Sequence, residues 1–423
     1  VGVLLLGADY YGTLAAVRCY GRAGIEVTVA DENKRARAKY SRYVGERLVH
    51  PPLGEPEILV DWLVQWAERH PGTVLYPTND HLAWLFAAER DRLGHAFRMF
   101  SPGEKTIIRL LDKMGLNEVC GDLGIEVPET HALGEPGQRE ASSIVEMFRY
   151  PLLLKPRIGV YLQGGIKGMI VRDRGDLDSQ LAHFRRLVTF KPAFTARHPT
   201  LAEPIVQEYL TIAETSILSV AGFVGDDGQL VARAAMKVLQ RPRKAGIGLC
   251  LEGRSVEEPL IEQLVALCRT VGYHGAFEAE FVVAGDRRVL IDFNPRFYSQ
   301  MGFEVARGLP LPLLVWHAAR GERSRVNEEL ERARAWRESG NEIYCHKRML
   351  NLVLTLQRIS GRMSGDDVKR WRSWHRQATR IKAATDAVHD RDDRMPAAVD
   401  TARWMADFAK HPRSFVNSFV LNR

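Results

Sequence analysis

Cysteine is scarce. Five residues, Cys19, Cys120, Cys250, Cys268 and Cys345, are scattered over 423 positions without a CxxC pair. An odd, dispersed set implies reduced thiols and a cytoplasmic location, not a disulfide framework. Long apolar runs are also missing; none approaches the roughly 20 residues that span a bilayer. No basic segment precedes the apolar run that opens at Val3, so no signal peptide is expected. Internal repeats and low-complexity tracts are absent. So is any recognised nucleic-acid reader motif, which removes nucleic acid from the expected partners. Even net charge is missing from most of the chain. Residues 321–423 hold 21 Lys and Arg against 14 Asp and Glu, which accounts for the entire excess of +7.

What is present is globular. The 45% hydrophobic and 26% charged content is that of a chain with a sizeable core. The length allows two or three domains. The most informative stretch is Gly275–Arg296, GAFEAEFVVAGDRRVLIDFNPR. Two apolar runs, Phe281–Ala284 and Val289–Ile291, flank the polar turn Gly285–Arg288, which predicts an antiparallel hairpin. Side chains alternate along a strand, so Glu278 and Glu280 share one face, as do Asp292 and Asn294. Pairing of the strands would bring these oxygen donors to one spot. Carboxylates and a side-chain amide are hard donors of the kind Mg²⁺ prefers, with phosphate oxygens completing the shell. A solvated acidic hairpin is the alternative that this stretch alone leaves open. Pro295 ends the pairing, and Arg296 follows with a guanidinium suited to a phosphate or a carboxylate.

The cluster Asp292-Phe293-Asn294-Pro295-Arg296 resembles the metal-binding end of the ATP-grasp superfamily. Further segments fit in the right order. Asp112-Lys113 opens a helical stretch that ends near Gly124 and leads to Ile125-Glu126-Val127-Pro128. Lys155 emerges from the apolar run Tyr150–Pro156, where an unpaired ammonium is costly to bury. A glycine-rich segment, Gly159–Gly168, follows it directly and reads as a lid over phosphates. Pro204–Leu210 is a strand that stops at a loop. The helix Glu257–Val271 then leads through Gly272-Tyr273-His274-Gly275 into the hairpin.

From that resemblance come expected roles. Lys113 and Lys155 would bind ATP phosphates, with Gly164 and Gly165 in the lid. Backbone groups around Gln207, Glu208 and Leu210 would hold the adenine, and Glu214 the ribose. Glu280, Asp292 and Asn294 would be the metal ligands, Glu280 being chosen over its same-face neighbour Glu278. Arg296 and Lys237 would be catalytic, and the basic loop Arg241–Lys244 would face the acceptor substrate. ATP and Mg²⁺ are the implied cofactors, with two ions expected and Mn²⁺ as a substitute. The sequence departs from the superfamily at Asp292, where many members carry Glu. The shorter side chain weakens the expectation of bidentate bridging between two metals.

The N-terminal segment reads as a βαβ unit: Val3–Leu6, a helix from Thr13 to Ala23, then Glu26–Ala30. Gly7 and Gly12 match the outer glycines of a dinucleotide-binding turn, which raises an NAD-dependent oxidoreductase as a rival reading. The middle glycine is missing, and Asp9 would set a carboxylate against the pyrophosphate. Asp80, after the strand Val74–Pro77, is expected to cap the following helix, with substrate contact as the alternative.

Beyond Arg320 the resemblance ends. Helices are expected over Glu328–Glu338, Lys347–Ile359 and Ser364–Val388. The last carries Trp371, Trp374, Ala378, Ile381, Thr385 and Val388 on one stripe and Lys369, Arg372, Arg376 and Arg380 outside it. Packing on the main body is the favoured reading. Weak contact with an anionic membrane or an acidic partner is the alternative.

The fold class expected is α/β (α+β). It comprises a Rossmann-like preATP-grasp domain over 1–104, an ATP-grasp domain of two α+β subdomains over 105–320 with its lid near 150–210, and a basic helical extension over 321–423. The expected activity is an ADP-forming carboxylate–amine ligase acting on small-molecule carboxylate and amine substrates. A non-catalytic ATP-binding protein of the same fold is the second alternative.

Overall fold

The computed structural model describes residues 1–133, 149–163, 168–211, 216–240 and 248–416. Its first layer is a five-stranded parallel sheet in the order Val44–Leu48, Val27–Ala30, Val3–Leu6, Val74–Leu75, Arg98–Met99. The Val3–Leu6 run has no polar face because both of its faces are covered. Leu4 and Leu6 join the core that contains Leu59 and Leu63 of the Pro56–Glu68 helix. Val3 and Leu5 join the core that contains Leu14 and Val17 of the Tyr11–Arg22 helix. Strand order reverses between Val3–Leu6 and Val74–Leu75, so the loops after these two strands border a crevice of the kind that binds ligands in open α/β sheets.

The glycines before and within the first helix have packing reasons. Gly7 sits at φ +67°, in the left-handed region. A Cβ on Gly12 would lie 2.2 Å from the Tyr298 carbonyl oxygen, so glycine lets the helix touch the loop that follows Arg296.

A four-stranded antiparallel sheet comes next, in the order Thr130–Ala132, Pro204–Glu208, Leu152–Pro156, Met169–Val171. The Arg174–Leu187 helix covers it through Leu177, Leu181 and Phe184. The largest sheet has seven strands: Arg287–Asn294, Gly275–Ala284, Ile217–Val224, Leu230–Gln240, Gly248–Arg254, Ile343–Cys345 and Ala384–Asp386. Its last two strands come from beyond Arg320. Ile343–Cys345 pairs antiparallel with Gly248–Arg254, and Ala384–Asp386 adds in parallel.

The tail therefore differs from an all-helical extension. Helices form at Arg323–Ala335, Lys347–Ile359 and Gly365–Arg380. The continuous stripe expected to Val388 stops at Arg380: Ile381 is exposed and Thr385 lies in a strand. An edge strand was open for pairing, and its hydrogen bonds outweigh a further helical turn. Trp371 is buried, and Trp374 donates its indole N–H to Glu252 Oε1 at 2.8 Å.

The tail also reaches the first sheet. Asp393 is buried and accepts from Arg18 Nε at 2.9 Å, Ser41 Oγ at 2.8 Å and the Arg42 amide at 2.9 Å. Arg403 pairs with Asp9, and Arg37 lies 3.2 Å from Asp400. Breaking a buried pair strands the other charge, so Asp393→Ala should destabilise the protein by about 3 kcal/mol. Denaturant unfolding checks this; a loss within the range of a surface substitution would show that Arg18 finds compensation elsewhere.

Candidate active site

The Gly275–Ala284 and Arg287–Asn294 strands pair with Glu278 opposite Asn294 and Glu280 opposite Asp292. Opposed residues point to the same face, so all four polar side chains stand together on the large sheet. Lys237 comes from the Leu230–Gln240 strand on the other side of Ile217–Val224. Its ammonium is hydrogen-bonded to Glu280 Oε1 and lies 3.9 Å from Glu278 Oε1. Burial works against its charge, but the two carboxylates and Asp292 hold its pKa above the ordinary lysine value.

Glu278 is buried. It accepts from Ser219 Oγ at 2.7 Å, Asn294 Nδ2 at 3.3 Å and Gln300 Nε2. Burial pushes its carboxyl up to about 7, against the pull of Lys237. Asn294 Oδ1 accepts from Arg296 Nη2 at 2.7 Å, and Arg296 Nε donates to Asp80 Oδ1 at 2.7 Å. Asp80 is not the helix cap expected of it. Asn79 caps, accepting from the Leu82 amide at 3.0 Å. Asp80 instead spends its charge on Arg296, which with Lys113 and His81 holds the carboxyl below its ordinary range despite burial.

Lys155 lies on the smaller sheet. It donates to Gln207 Oε1 at 3.1 Å, and Gln207 Nε2 donates to Thr130 Oγ1 at 2.8 Å. Burial, with Lys113 as a nearby like charge, brings Lys155 down to about 7, while Asp292 and Glu280 pull the other way. Those couplings place Lys113 and Lys155 in one electrostatic field with the hairpin carboxylates. Lys113 opens the Lys113–Asp122 helix, and Asp112 caps it. Asp112 also takes Arg157 through two hydrogen bonds, at 2.6 and 2.9 Å.

Composition gave no sign of the Asp112–Arg157 and Asp80–Arg296 pairs, since their members lie 45 and 216 positions apart. His81 was also missed. Its Nδ1 accepts from the Tyr161 amide at 2.9 Å and anchors the start of the glycine-rich segment, where Tyr161 has φ +53°. Left-handed backbone at a bulky aromatic is costly and persists only where its surroundings hold it; here Trp84 and Phe194 pack on the ring.

No protein-family model matches the chain. It is 25% identical over 289 residues to the carbamoyl phosphate synthase large chain of Rubrobacter xylanophilus, covering 66% of this chain and 25% of that protein. The chain thus spans about a quarter of the length of that curated relative. Biotin carboxylase from Campylobacter jejuni, solved with β,γ-ATP, superposes with a TM-score of 0.60 at 17% identity, over 75% of this chain and 71% of that one. The biotin carboxylase domain of Hydrogenobacter thermophilus 2-oxoglutarate carboxylase, solved with MgADP, ADP and bicarbonate, gives 0.59 at 17% identity, over 75% and 69%.

The chain is thus similar in sequence to a carbamoyl phosphate synthase large chain and shares the fold of biotin carboxylase, as the resemblance to the ATP-grasp superfamily implied. In ATP-grasp terms the strand Pro204–Glu208 is where an adenine hinge was expected. Gln207 uses its side chain on Lys155, and the Glu208 amide already donates to the Glu129 carbonyl at 2.8 Å. Glu208 therefore has no free N–H for a base, while Leu210 lies beyond the strand end. Gly164, Gly165, Glu214 and the Arg241–Lys244 loop lie outside the described residues.

The donors fit a divalent ion in kind. Among the described residues no three His, Cys, Asp or Glu side chains gather as a metal site. Glu280 and Asp292 supply two opposed carboxylates, however, and Asn294 supplies an amide oxygen that already accepts from a cation. Lys237 satisfies Glu280 in the meantime.

Lys155 yields a prediction about stability. An unfolded lysine keeps its proton to about pH 10.4, whereas Lys155 in the folded protein loses it near 7. Between these values the unfolded chain binds the extra proton, so stability rises with pH across that window. Thermal melts of wild type and Lys155→Met from pH 7 to 10 should show the wild type gaining on the variant. A constant difference would mean that Lys155 titrates normally.

Proposed function

We propose that this chain is an ATP-dependent, ADP-forming ligase that activates a carboxylate as an acylphosphate and joins it to an amine. The observation that carries this reading is the pairing that sets Glu280 opposite Asp292 beside Asn294, with Glu280, Asp292 and Lys113 acting electrostatically on Lys155, in a fold whose solved neighbours were crystallised with β,γ-ATP and with MgADP. Glu280, Asp292 and Asn294 would hold Mg²⁺, which when bound neutralises phosphate oxygens as charge develops on them.

The chain's own groups do the rest. Lys155, poised near neutrality in a buried place, gains its full charge when an anionic phosphate arrives. Lys113 adds a second cation. Arg296 is held in place by Asp80 and Asn294, so its fork is oriented before substrate binds. Arg296 would stabilise the transferring phosphoryl group and the acyl oxygen, together with Lys237. The glycine-rich segment anchored at Tyr161 would shelter the acylphosphate from water. The amine substrate would enter from the crevice between the Gly7–Tyr10 and Tyr76–Asp80 loops, which border Arg296.

The test is phosphate release from Mg·ATP in the presence of panels of small carboxylic acids and amines. Stimulation by a carboxylate–amine pair is expected. Asn294→Ala removes one oxygen donor and adds no charge, so turnover should fall about 100-fold or more while the protein stays folded. ADP binding without stimulated phosphate release from any pair would point instead to a nucleotide-binding protein that does not turn over. Wild-type turnover by the variant would remove Asn294 from the site.

A further inference from the structure

Glu278 is the acidic group on this sheet face for which the proposed chemistry has no use. It is only 3% exposed, and a carboxylate buried that deeply is expensive unless its surroundings require it. Ser219 and Gln300 donate to Oε1, with Ser219 at 2.7 Å, and Asn294 Nδ2 donates to Oε2 at 3.3 Å. The Lys237 ammonium lies 3.9 Å from Oε1. With those acceptor sites occupied, Glu278 would have to release its donors to become a ligand itself.

Its effect falls on Asn294, directly across the strand pair. A side-chain amide has a donor end and an acceptor end of nearly equal shape. Glu278 Oε2 accepts here, and a guanidinium only donates. Asn294 stands between the two: Glu278 takes its NH₂, and Arg296 Nη2 takes its oxygen at 2.7 Å. Both neighbours demand the same orientation.

We propose that Glu278 is a positioning residue that locks the Asn294 amide with its oxygen turned away from Glu278, on the side of Arg296, ready to serve as a metal ligand. The inference rests on the metal reading above and adds to it the group that sets the ligand's orientation. Its supports extend further. Gln300 sits beside Ser299, whose carbonyl accepts from the tail's Tyr344 hydroxyl at 3.3 Å. A strand outside the superfamily resemblance thus braces the loop that braces Glu278.

The test measures Mn²⁺ uptake in the presence of ADP by the loss of the free-ion paramagnetic resonance signal, on the full chain. Glu278→Gln keeps size but can donate as well as accept, so the lock loosens, and Mn²⁺ affinity should fall about 10- to 100-fold. ADP binding without metal should not change. Asn294→Asp sets two carboxylates against each other and should also weaken Mn²⁺ uptake. Combining the two substitutions exchanges the amide and the carboxylate between the facing positions. The relocated amide can then donate across the strand pair to the relocated carboxylate, which again turns an oxygen outward. The double variant should recover most of the wild-type affinity, an outcome that a merely structural Glu278 would not produce. Ser219→Ala removes one donor from Glu278 without touching a ligand. It should weaken uptake by a smaller factor, and it carries the test should Glu278→Gln misfold. Unchanged Mn²⁺ affinity in folded Glu278→Gln, or a double variant as weak as the two losses combined, overturns the proposal. Failure of the wild type to take up Mn²⁺ with ADP would show before any substitution and would overturn the metal reading together with this one.

Discussion

An ionised side chain cannot be left alone in a protein interior, and most of this structure around the hairpin follows from that constraint. Lys237 is shared between Glu280 and Glu278, Arg296 between Asp80 and Asn294, and Arg157 takes Asp112 with two hydrogen bonds. Lys155 stands apart. Among the described residues its hydrogen-bond partner is the neutral Gln207, with Lys113 as a nearby like charge. In the reading proposed above, that is where a phosphate would lie.

The same constraint ties the tail to the body. Glu338 lies 3.4 Å from Arg233 and 3.2 Å from Arg307, two guanidiniums buried behind the large sheet. Asp393 takes Arg18 at the edge of the first sheet. By count the tail is the basic part of the chain, yet several of its acids are committed inside the fold. Two of its strands complete the large sheet, and Trp371 is buried in a core cluster shared with residues of that sheet. The segment works as part of the scaffold, a role that overall charge could not reveal.

The hairpin was legible because its signal is local. Alternating side chains and a polar turn specify a pairing, and with it which acids stand opposite each other. Lys155 was legible for a similar reason, as a lysine in an apolar strand. Asp80 was misread because a residue at a strand end followed by a helix satisfies the capping pattern whether or not it caps. Only the arrival of Arg296 decides. Gly12 looked like part of a phosphate-binding turn, but its small size is used by the Tyr298 carbonyl. The tail strands escaped notice because three residues carry too little periodicity to separate from a loop.

The sequence by itself determined the local elements and carried the superfamily resemblance: the buried first strand, the Asn-Pro-Arg hairpin, the lysine strand and their order along the chain. These depend on neighbours within a few positions, where side-chain period and turn chemistry act directly. Tertiary structure alone decided which charges neutralise one another, which glutamate faces Lys237 and which faces Asn294, and where the tail belongs. Those outcomes are set by contacts between residues tens to hundreds of positions apart. Their energies arise only once burial has removed the water that would otherwise satisfy each group separately.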